Sequence, residues 1–407
     1  MNLEASMRVI LPLRKEPARS REVRGFSLVE LMIATLIGAL LLLAILQIFG
    51  SSRLSTQASL ALARVQESGR FALELMKPAV RMAGLNQICT GRPRLVEHTR
   101  NGCAQGTNLL FNPELALLGW EAVGTGPGQT RVYNPDALEP ATAPATGWEV
   151  RDGNQLWPLP PVLQGRVVPG SDVLVVRRVV PIPVRVTGFA GTTVQLSAPH
   201  GLPDHSVVIM SDCNVTHVFQ NTSNANAAAL TRPVGNCANP GPGNTPPGPN
   251  PFAPEPIVAS TQIFGQEIEV FYVGREPGRE PALFRMRLPV PGQVIGPGGG
   301  AAEHIQPLVD GIENMQVRYG VSFGPNAPNS SSGRAVDAWY PANQVNDWTS
   351  VIAVRVALLA RSGENADSRL VSENFNLAGT VLSPEADGRL RKPFTATIQI
   401  RNVAIVE

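Results

Sequence analysis

The residues best suited to chemistry are few and widely spaced. The four cysteines are Cys89, Cys103, Cys213 and Cys237, without a C-x-x-C pair and without a histidine at zinc-finger spacing. In an exported chain an even number of cysteines is typical of two disulfides; free buried thiols and a metal site are the alternatives. Because each closes a short loop, we expect Cys89–Cys103 and Cys213–Cys237 bridges.

The sequence offers no convergent set of catalytic groups. It contains no G-x-S-x-G, H-E-x-x-H or Walker loop, and its five histidines are scattered. His200 and His205, the closest pair, fit surface or turn positions better than metal binding. Asp310 and Glu313 lack the alternating acids of a calcium loop. We therefore expect no enzyme activity, no metal and no cofactor.

Charge argues against a nucleic-acid partner, because the formal net charge is only +2 and acids and bases are nearly balanced. The basic excess is local and lies before the first apolar run, at Arg8, Arg14, Lys15, Arg19, Arg21 and Arg24.

That apolar run, Phe26–Phe49, contains one charged residue, Glu30. As a helix of about 24 residues it would rise about 36 Å, enough to cross the hydrocarbon core of a bilayer. The basic segment before it predicts a cytoplasmic amino terminus and an external remainder. A carboxylate one turn into a membrane helix is costly, so Glu30 is a candidate functional residue.

A cleaved secretory signal is the alternative explanation of this segment. The run is longer than a signal-peptide core of roughly 7–15 residues. The nearest small-x-small site, Ala61–Ala63, lies well beyond the end of the run and inside a helical pattern. The charged residue Glu30 inside the run also argues against a signal peptide.

Residues 24–34, RGFSLVELMIA, resemble the prepilin cleavage and N-methylation motif. The resemblance implies cleavage between Gly25 and Phe26 by a prepilin peptidase, methylation of the new Phe26 amine, and Glu30 at the mature fifth position. In a filament, Glu30 could pair with the Phe26 amine of a neighbouring subunit and set the register of helix packing. The leader is long for this family, and Met7 is an alternative start.

Helical periodicity continues beyond the membrane segment. Apolar residues recur at Ala58, Ala61, Val65, Ala72 and Ala79, with charged residues between them. One helix should therefore run to about Met82, its second half packed on a globular head. A coiled-coil partner is the alternative, although heptads are not sustained.

Short segments rich in β-branched residues and bounded by Gly, Pro or Asn follow. Without helical crossovers between them, antiparallel pairing is expected, giving an α+β protein with a long amino-terminal helix on a mainly antiparallel β head with long loops. The predicted strands are Val173–Val180, Thr192–Leu196, Val207–Ser211, Ile268–Val273, Leu283–Leu288, Met315–Val321, Val351–Ala360 and Thr395–Arg401.

The expected organisation has five parts. They are a leader at 1–25, a transmembrane half-helix at 26–50, an amphipathic half-helix at 51–85, an irregular region at 86–165, and a β-rich periplasmic head at 166–407 with a Pro/Gly linker at 239–256.

Three blocks of the head resemble PilW-type minor pilins: residues 211–220, 308–320 and 348–362. The resemblance implies a low-abundance subunit near the tip of a type IV pilus, anchored in the inner membrane before assembly. Its implied partners are other minor pilins, the major pilin and a tip adhesin, with a role in twitching and adhesion. A J-type secretion pseudopilin and a membrane-tethered periplasmic binding or hydrolytic protein are the alternatives.

Overall fold

The computed structural model describes residues 27–84, 89, 93–99, 107–112, 114–134, 140, 145–203, 205–233, 242–288, 304–323, 335–363 and 373–401. The chain divides into two compact units, Met1–Thr56 and Gln57–Glu407. Gly25, Phe26, Cys103, Cys237 and the glycine run at 296–300 lie outside the described residues.

The longest element is the helix α1, Leu28–Arg81, which continues through Gly69 and Pro78. Its first half is rich in Leu, Ile and Ala, which favour helix, and it is long and apolar enough to cross a membrane. From Val65 onward one side of the helix is buried, at the spacing of an amphipathic helix. A second, short helix, α2, spans Thr107–Phe111.

The remaining elements are mostly strands of 3 to 13 residues. In chain order they are β1 (Arg94–Glu97), β2 (Leu117–Ala122), β3 (Thr130–Tyr133), β4 (Trp148–Asp152), β5 (Gln155–Trp157), β6 (Val173–Ile182), β7 (Val186–Ala190), β8 (Thr193–Leu196), β9 (Val207–Ser211), β10 (Val215–Gln220), β11 (Ala229–Thr231), β12 (Gln262–Gly274), β13 (Ala282–Leu288), β14 (Ile305–Asp310), β15 (Ile312–Val321), β16 (Ala338–Tyr340), β17 (Val351–Arg361), β18 (Phe375–Leu377), β19 (Thr380–Pro384) and β20 (Arg391–Gln399).

A ten-stranded sheet forms the centre of the head, in the order β1-β10-β9-β12-β6-β2-β4-β5; β13 pairs with β12 off this path, and β14 pairs with β13. Strand β12 has β6 along one edge; on the other, Gln262–Gly265 pair with β9 and Ile268–Gly274 pair with β13. Pairing is antiparallel apart from the β1–β10 pair in this sheet and the β3–β19 pair outside it, which are parallel.

Three smaller sheets complete the described part of the head. They have the orders β16-β15-β17-β20, β11-β8-β7 and β18-β19-β3. One large apolar core joins α1, the central sheet and the β15–β17 region, while a smaller core lies around Phe219, Leu230 and Phe252.

The predicted fold class, α+β with a long apolar helix before a mainly antiparallel head, is confirmed. All eight predicted strands overlap strands of the structure. The region expected to be irregular, 86–165, instead contributes β1 to β5. The described part of the predicted linker, 242–256, has neither helix nor strand, but Phe252 is buried within it, so this part is packed.

Candidate assembly site

The amino-terminal half of α1 exposes its whole circumference. Leu28 through Phe49 are exposed on every side, and Glu30 is the acidic residue of the first turn. No salt bridge to Glu30 occurs among the described residues. Such an apolar surface is suited to a bilayer or to packing against the helices of identical neighbours. Because an unpaired charge is costly in either environment, the Glu30 carboxylate requires a cation as its partner there.

The carboxyl-terminal half of α1 packs into the head. Val65, Ala72, Met76 and Val80 are buried along one stripe, as the periodicity predicted for the first two. Gly69 lies directly under the ring of Phe394 in β20: a Cβ at Gly69 would lie 2.2 Å from Phe394 Cδ2. The glycine therefore permits close contact between helix and strand.

Backbone contacts hold the last turn of α1. The Gly84 N–H donates to the Arg177 carbonyl at 2.8 Å, and Gly84 forms a parallel bridge with Arg178 of β6. The Arg401 N–H, just after β20, donates to the Arg81 carbonyl at 3.1 Å. Two sheets thus bind the end of the helix.

The Arg177 side chain is buried in β6, and its partners are backbone carbonyls. Its guanidinium donates to Leu110 O at 2.8 Å, to Leu115 O at 3.0 Å and to Leu109 O. Carbonyl groups at the end of α2 thus stabilise the cation, as the dipole of a helix favours. Burial nevertheless lowers the pKa of Arg177 to about 9.

A second buried arginine, Arg318 of β15, lies between two acids. Its Nη1 donates to Glu121 Oε2 at 2.9 Å and lies 3.6 Å from Asp172 Oδ2. Asp172 also accepts the N–H groups of Ala122 at 2.9 Å and Val317 at 2.8 Å.

The two acids around Arg318 differ in their affinity for a proton. Burial, with the adjacent Asp172, raises the pKa of Glu121 well above its usual range. Burial raises the pKa of Asp172 to about 6, because Arg318 and two backbone donors oppose the shift. Burial thus favours the protonated form of Glu121, whereas Asp172, which Arg318 and two backbone N–H groups stabilise as the anion, is the stronger acid of the two.

A third set of charges joins β3 and the four-stranded sheet. Glu313 of β15 is fully buried, accepts the Tyr133 hydroxyl at 2.9 Å and pairs with Arg391 at 2.8 Å. Arg391 also binds Asp387 at 2.6 Å, and Arg361 lies 4.0 Å from Glu313. Glu313 is thus paired through both of its oxygens, and the cluster links β3 to β15 and β20.

Two histidines stack at the β1–β10 edge. The rings of His98 and His217 are 5.2 Å apart, with His98 Nε2 at 2.9 Å from His217 Nδ1. His217 Nε2 lies 2.9 Å from the Pro254 carbonyl, so this nitrogen donates and His217 Nδ1 accepts. Burial, with the nearby Arg232 cation, lowers the pKa of His98 to about 3. Both rings are therefore neutral near pH 7.

The disulfide of the structure joins Cys89 to Cys213, with 5.5 Å between their Cα atoms. The predicted Cys89–Cys103 and Cys213–Cys237 pairings are therefore wrong. Parallel pairing of β1 with β10 brings the residues before β1 beside the turn between β9 and β10, where Cys213 lies. Among the described residues, no group of three His, Cys, Asp or Glu could hold a metal ion.

Two family models match the chain. Residues 270–402 match the family described as type IV pilus-assembly protein W, and residues 20–46 match the prokaryotic N-terminal methylation motif. These two matches support a pilin-like protein related to type IV pili. No curated protein and no solved structure matches it significantly. An apolar helix carrying this motif fits a membrane-anchored pilin with a soluble head, and implies processing by a prepilin peptidase and pilin partners.

The match to the pilus-assembly family covers β13 to β20 and two of the three resembling blocks, 308–320 and 348–362. The block around Cys213 lies outside it. Sequence reasoning missed the buried charges of this pilin-like head, Arg177, Arg318, Glu121 and Glu313. A charged residue at an apolar position of a strand, as in the run VLVVRRVV of β6, was the available signal.

Proposed function

We propose that the chain is a non-catalytic minor pilin that helps to initiate a type IV pilus at its tip, together with other minor pilins, the major pilin and a tip adhesin. The observation that carries this is Glu30, the acid of the first turn on an exposed apolar helix within the matched methylation motif. The match to the assembly family supports a pilus rather than a secretion pseudopilin.

The proposed sequence of events starts in the inner membrane, with the head in the periplasm. Cleavage between Gly25 and Phe26 leaves a positive amine, which is then methylated. When the helix enters a filament, Glu30 pairs with the Phe26 amine of a neighbour, because both charges would otherwise be unpaired in a medium of low polarity. Amino-terminal sequencing of the mature protein should begin at N-methylated Phe26.

Glu30→Ala should leave cleavage intact and abolish or strongly reduce surface pili. Removing one partner of a pair in a dry environment costs about 3–5 kcal/mol. The matched control is Thr35→Ala, because the Thr35 hydroxyl donates only to carbonyls of its own helix, Leu31 and Met32. Pili are counted by electron microscopy, and normal piliation of Glu30→Ala would refute the pairing.

Deletion of the gene separates the pilus from the secretion alternative. The proposal expects loss of pili and twitching with normal protein secretion. A mutant with normal pili and blocked secretion would assign the chain to the J-type pseudopilins.

A further inference from the structure

A cleft of about 340 Å³ lies at one end of the four-stranded sheet, within the segment that matches the pilus-assembly family. The end of β15, the edge strand β16 and two 3₁₀ turns, Ala342–Gln344 and Trp348–Ser350, surround it. The described residues that line it are Val321, Ser322, Phe323, Tyr340, Gln344, Asn346, Asp347 and Ser350.

The two 3₁₀ turns are fixed by one residue of β4. Arg151 Nε donates to the Asn343 carbonyl at 2.9 Å, and Trp348 Nε1 donates to the Arg151 carbonyl at 2.7 Å. The Trp348 ring also packs edge-on against Tyr319, with centroids 4.7 Å apart. The cleft is thus preformed, which reduces the entropy lost when a ligand binds.

The lining combines aromatic rings with polar groups, of which one, the Asp347 carboxylate, is charged. Phe323 and Tyr340 provide apolar faces, and Gln344 and Asn346 provide exposed amides. Asp347 uses Oδ1 for the backbone N–H and hydroxyl of Thr349, at 2.9 and 2.7 Å.

One residue of the lining also has a buried hydroxyl that the described part of the chain leaves without a hydrogen-bond partner. Ser322 is 8% exposed and lines the cleft, and its hydroxyl has no hydrogen-bond partner among the described residues. A buried hydroxyl without a partner costs free energy, and a turn of the Ser322 side chain toward the cleft would let a polar ligand recover it.

We propose that this cleft binds a neutral sugar residue. One face of a sugar ring presents C–H groups that pack on an aromatic ring, while its hydroxyls pair with planar amides and carboxylates. The described lining supplies both kinds of group, and its volume is at the lower end of that of small-ligand pockets, which suits about one ring of an oligosaccharide.

The same lining disfavours other ligands. No Lys, Arg or His occurs among the described lining residues, so a phosphate or sulfate would meet only the Asp347 carboxylate. A single carboxylate is also too few oxygen ligands for a divalent cation.

The test uses the purified full chain in a zwitterionic detergent without a sugar headgroup. Isothermal titration is carried out with neutral oligosaccharides (lactose, cellobiose, N,N′-diacetylchitobiose) and with sialyllactose as the anionic counterpart of lactose. We expect binding of at least one neutral sugar and weaker binding of sialyllactose than of lactose. Failure of all neutral probes up to about 10 mM, or binding only of anionic or peptide probes, would overturn the proposal.

Variants locate the site. Phe323→Ala and Gln344→Ala should each weaken binding roughly tenfold, since both remove contacts with the ring or its hydroxyls. Leu156→Ala is the matched control: Leu156 is 45% and Phe323 46% exposed, and Leu156 does not line the cleft. Wild-type affinity in both cleft variants would also overturn the proposal.

Sugar binding is measured on the purified protein without pili. Its result is therefore independent of the test of the proposed role in pilus assembly.

Discussion

At the residue scale, the buried cations of the head are stabilised in two ways. Arg177 is surrounded by backbone carbonyls, whereas Arg318 lies between two acids, hydrogen-bonded to Glu121 and 3.6 Å from Asp172. In both cases the charge is satisfied by groups far apart in sequence. Such residues join several elements at once, because removing any partner leaves a buried charge or donor unsatisfied.

The protonation of Glu121 can be tested with two conservative substitutions. Glu121→Gln should change the free energy of unfolding by less than about 1 kcal/mol at pH 7, since Gln is neutral like the protonated acid. Asp172→Asn should lower the free energy of unfolding by about 3 kcal/mol or more, because it removes the negative charge opposite Arg318. It also places the amide NH₂ of Asn against a backbone N–H that one Asp172 oxygen now accepts. Urea unfolding measures both values. Equal costs for the two variants would contradict the assignment of the proton.

The stacked histidines should make the head sensitive to acid. The pKa of His98 is about 3 when folded and about 6.5 when unfolded, so between these values the unfolded chain binds the extra proton. Stability therefore falls as the pH is lowered from about 6.5 toward 3, by up to about 1.4 kcal/mol per pH unit. Arg232 faces the pair and opposes protonation of both rings, while Asp212 favours that of His217.

His98→Gln isolates this effect, because Gln keeps a donor toward His217 Nδ1 and does not titrate. The stability of wild type relative to this variant should decrease on acidification in urea unfolding at pH 7, 5.5 and 4. Parallel pH profiles would mean that His98 titrates normally in the folded head.

At the element scale, the contact between α1 and β20 depends on the absence of a side chain at Gly69. Gly69→Ala should destabilise the head by about 1–3 kcal/mol, because the new methyl group overlaps the Phe394 ring. Adding Phe394→Leu should recover part of that loss, which a double-mutant cycle by thermal unfolding detects. Gly50→Ala is the control, since a methyl group at Gly50 would have no neighbouring atom within 4 Å, and Ala favours helix. Additive effects of the first two substitutions would exclude the contact.

The elements themselves were largely predictable where one signal dominated. The apolar run and the periodicity after it located α1 to within a few residues of its end at Arg81. Runs of β-branched residues located eight of the strands from β6 onward, namely β6, β8, β9, β12, β13, β15, β17 and β20, but not the shorter or less apolar strands between them. The strands β2 and β4 were missed because they are short and lie between turn-rich segments, and β2, LLGWEA, is buried throughout and shows no alternation. Their places in the sheet come from the pairing of β2 with β6 and of β4 with β2, which local pattern does not encode.

At the scale of the whole molecule, the disulfide shows why the pairing was mispredicted. The prediction assumed that nearby cysteines pair, yet Cys89 and Cys213 are 124 residues apart and meet only because β1 joins β10. Topology, not spacing, decides which thiols come together. The family motif at the amino terminus could be recognised from the sequence because its residues are contiguous. The cleft at Tyr340 could not be predicted, because its lining residues come from separate segments of the chain.

Joint replacement of Cys89 and Cys213 by Ser should lower the free energy of unfolding by about 4–5 kcal/mol, because the bridge closes a long loop in the unfolded chain. Urea unfolding of the oxidised wild type and the double variant gives this difference, with reduced wild type as the control. Non-reducing peptide mapping should recover Cys89 linked to Cys213. A Cys89–Cys103 peptide would refute the pairing.

The attachment at the end of α1 has a mechanical consequence. A pull applied along this helix first meets the side chains packed on the head from Val65 onward, including the contact of Gly69 with Phe394. Only beyond them does it reach the backbone bonds at Arg81 and Gly84, which join the end of the helix to the segment after β20 and to β6 of the large sheet. Resistance to a sustained pull depends on the rate of unfolding rather than on equilibrium stability. The packed stripe of α1 and the two backbone bonds at its end are therefore the contacts whose rate of opening matters when the helix is pulled.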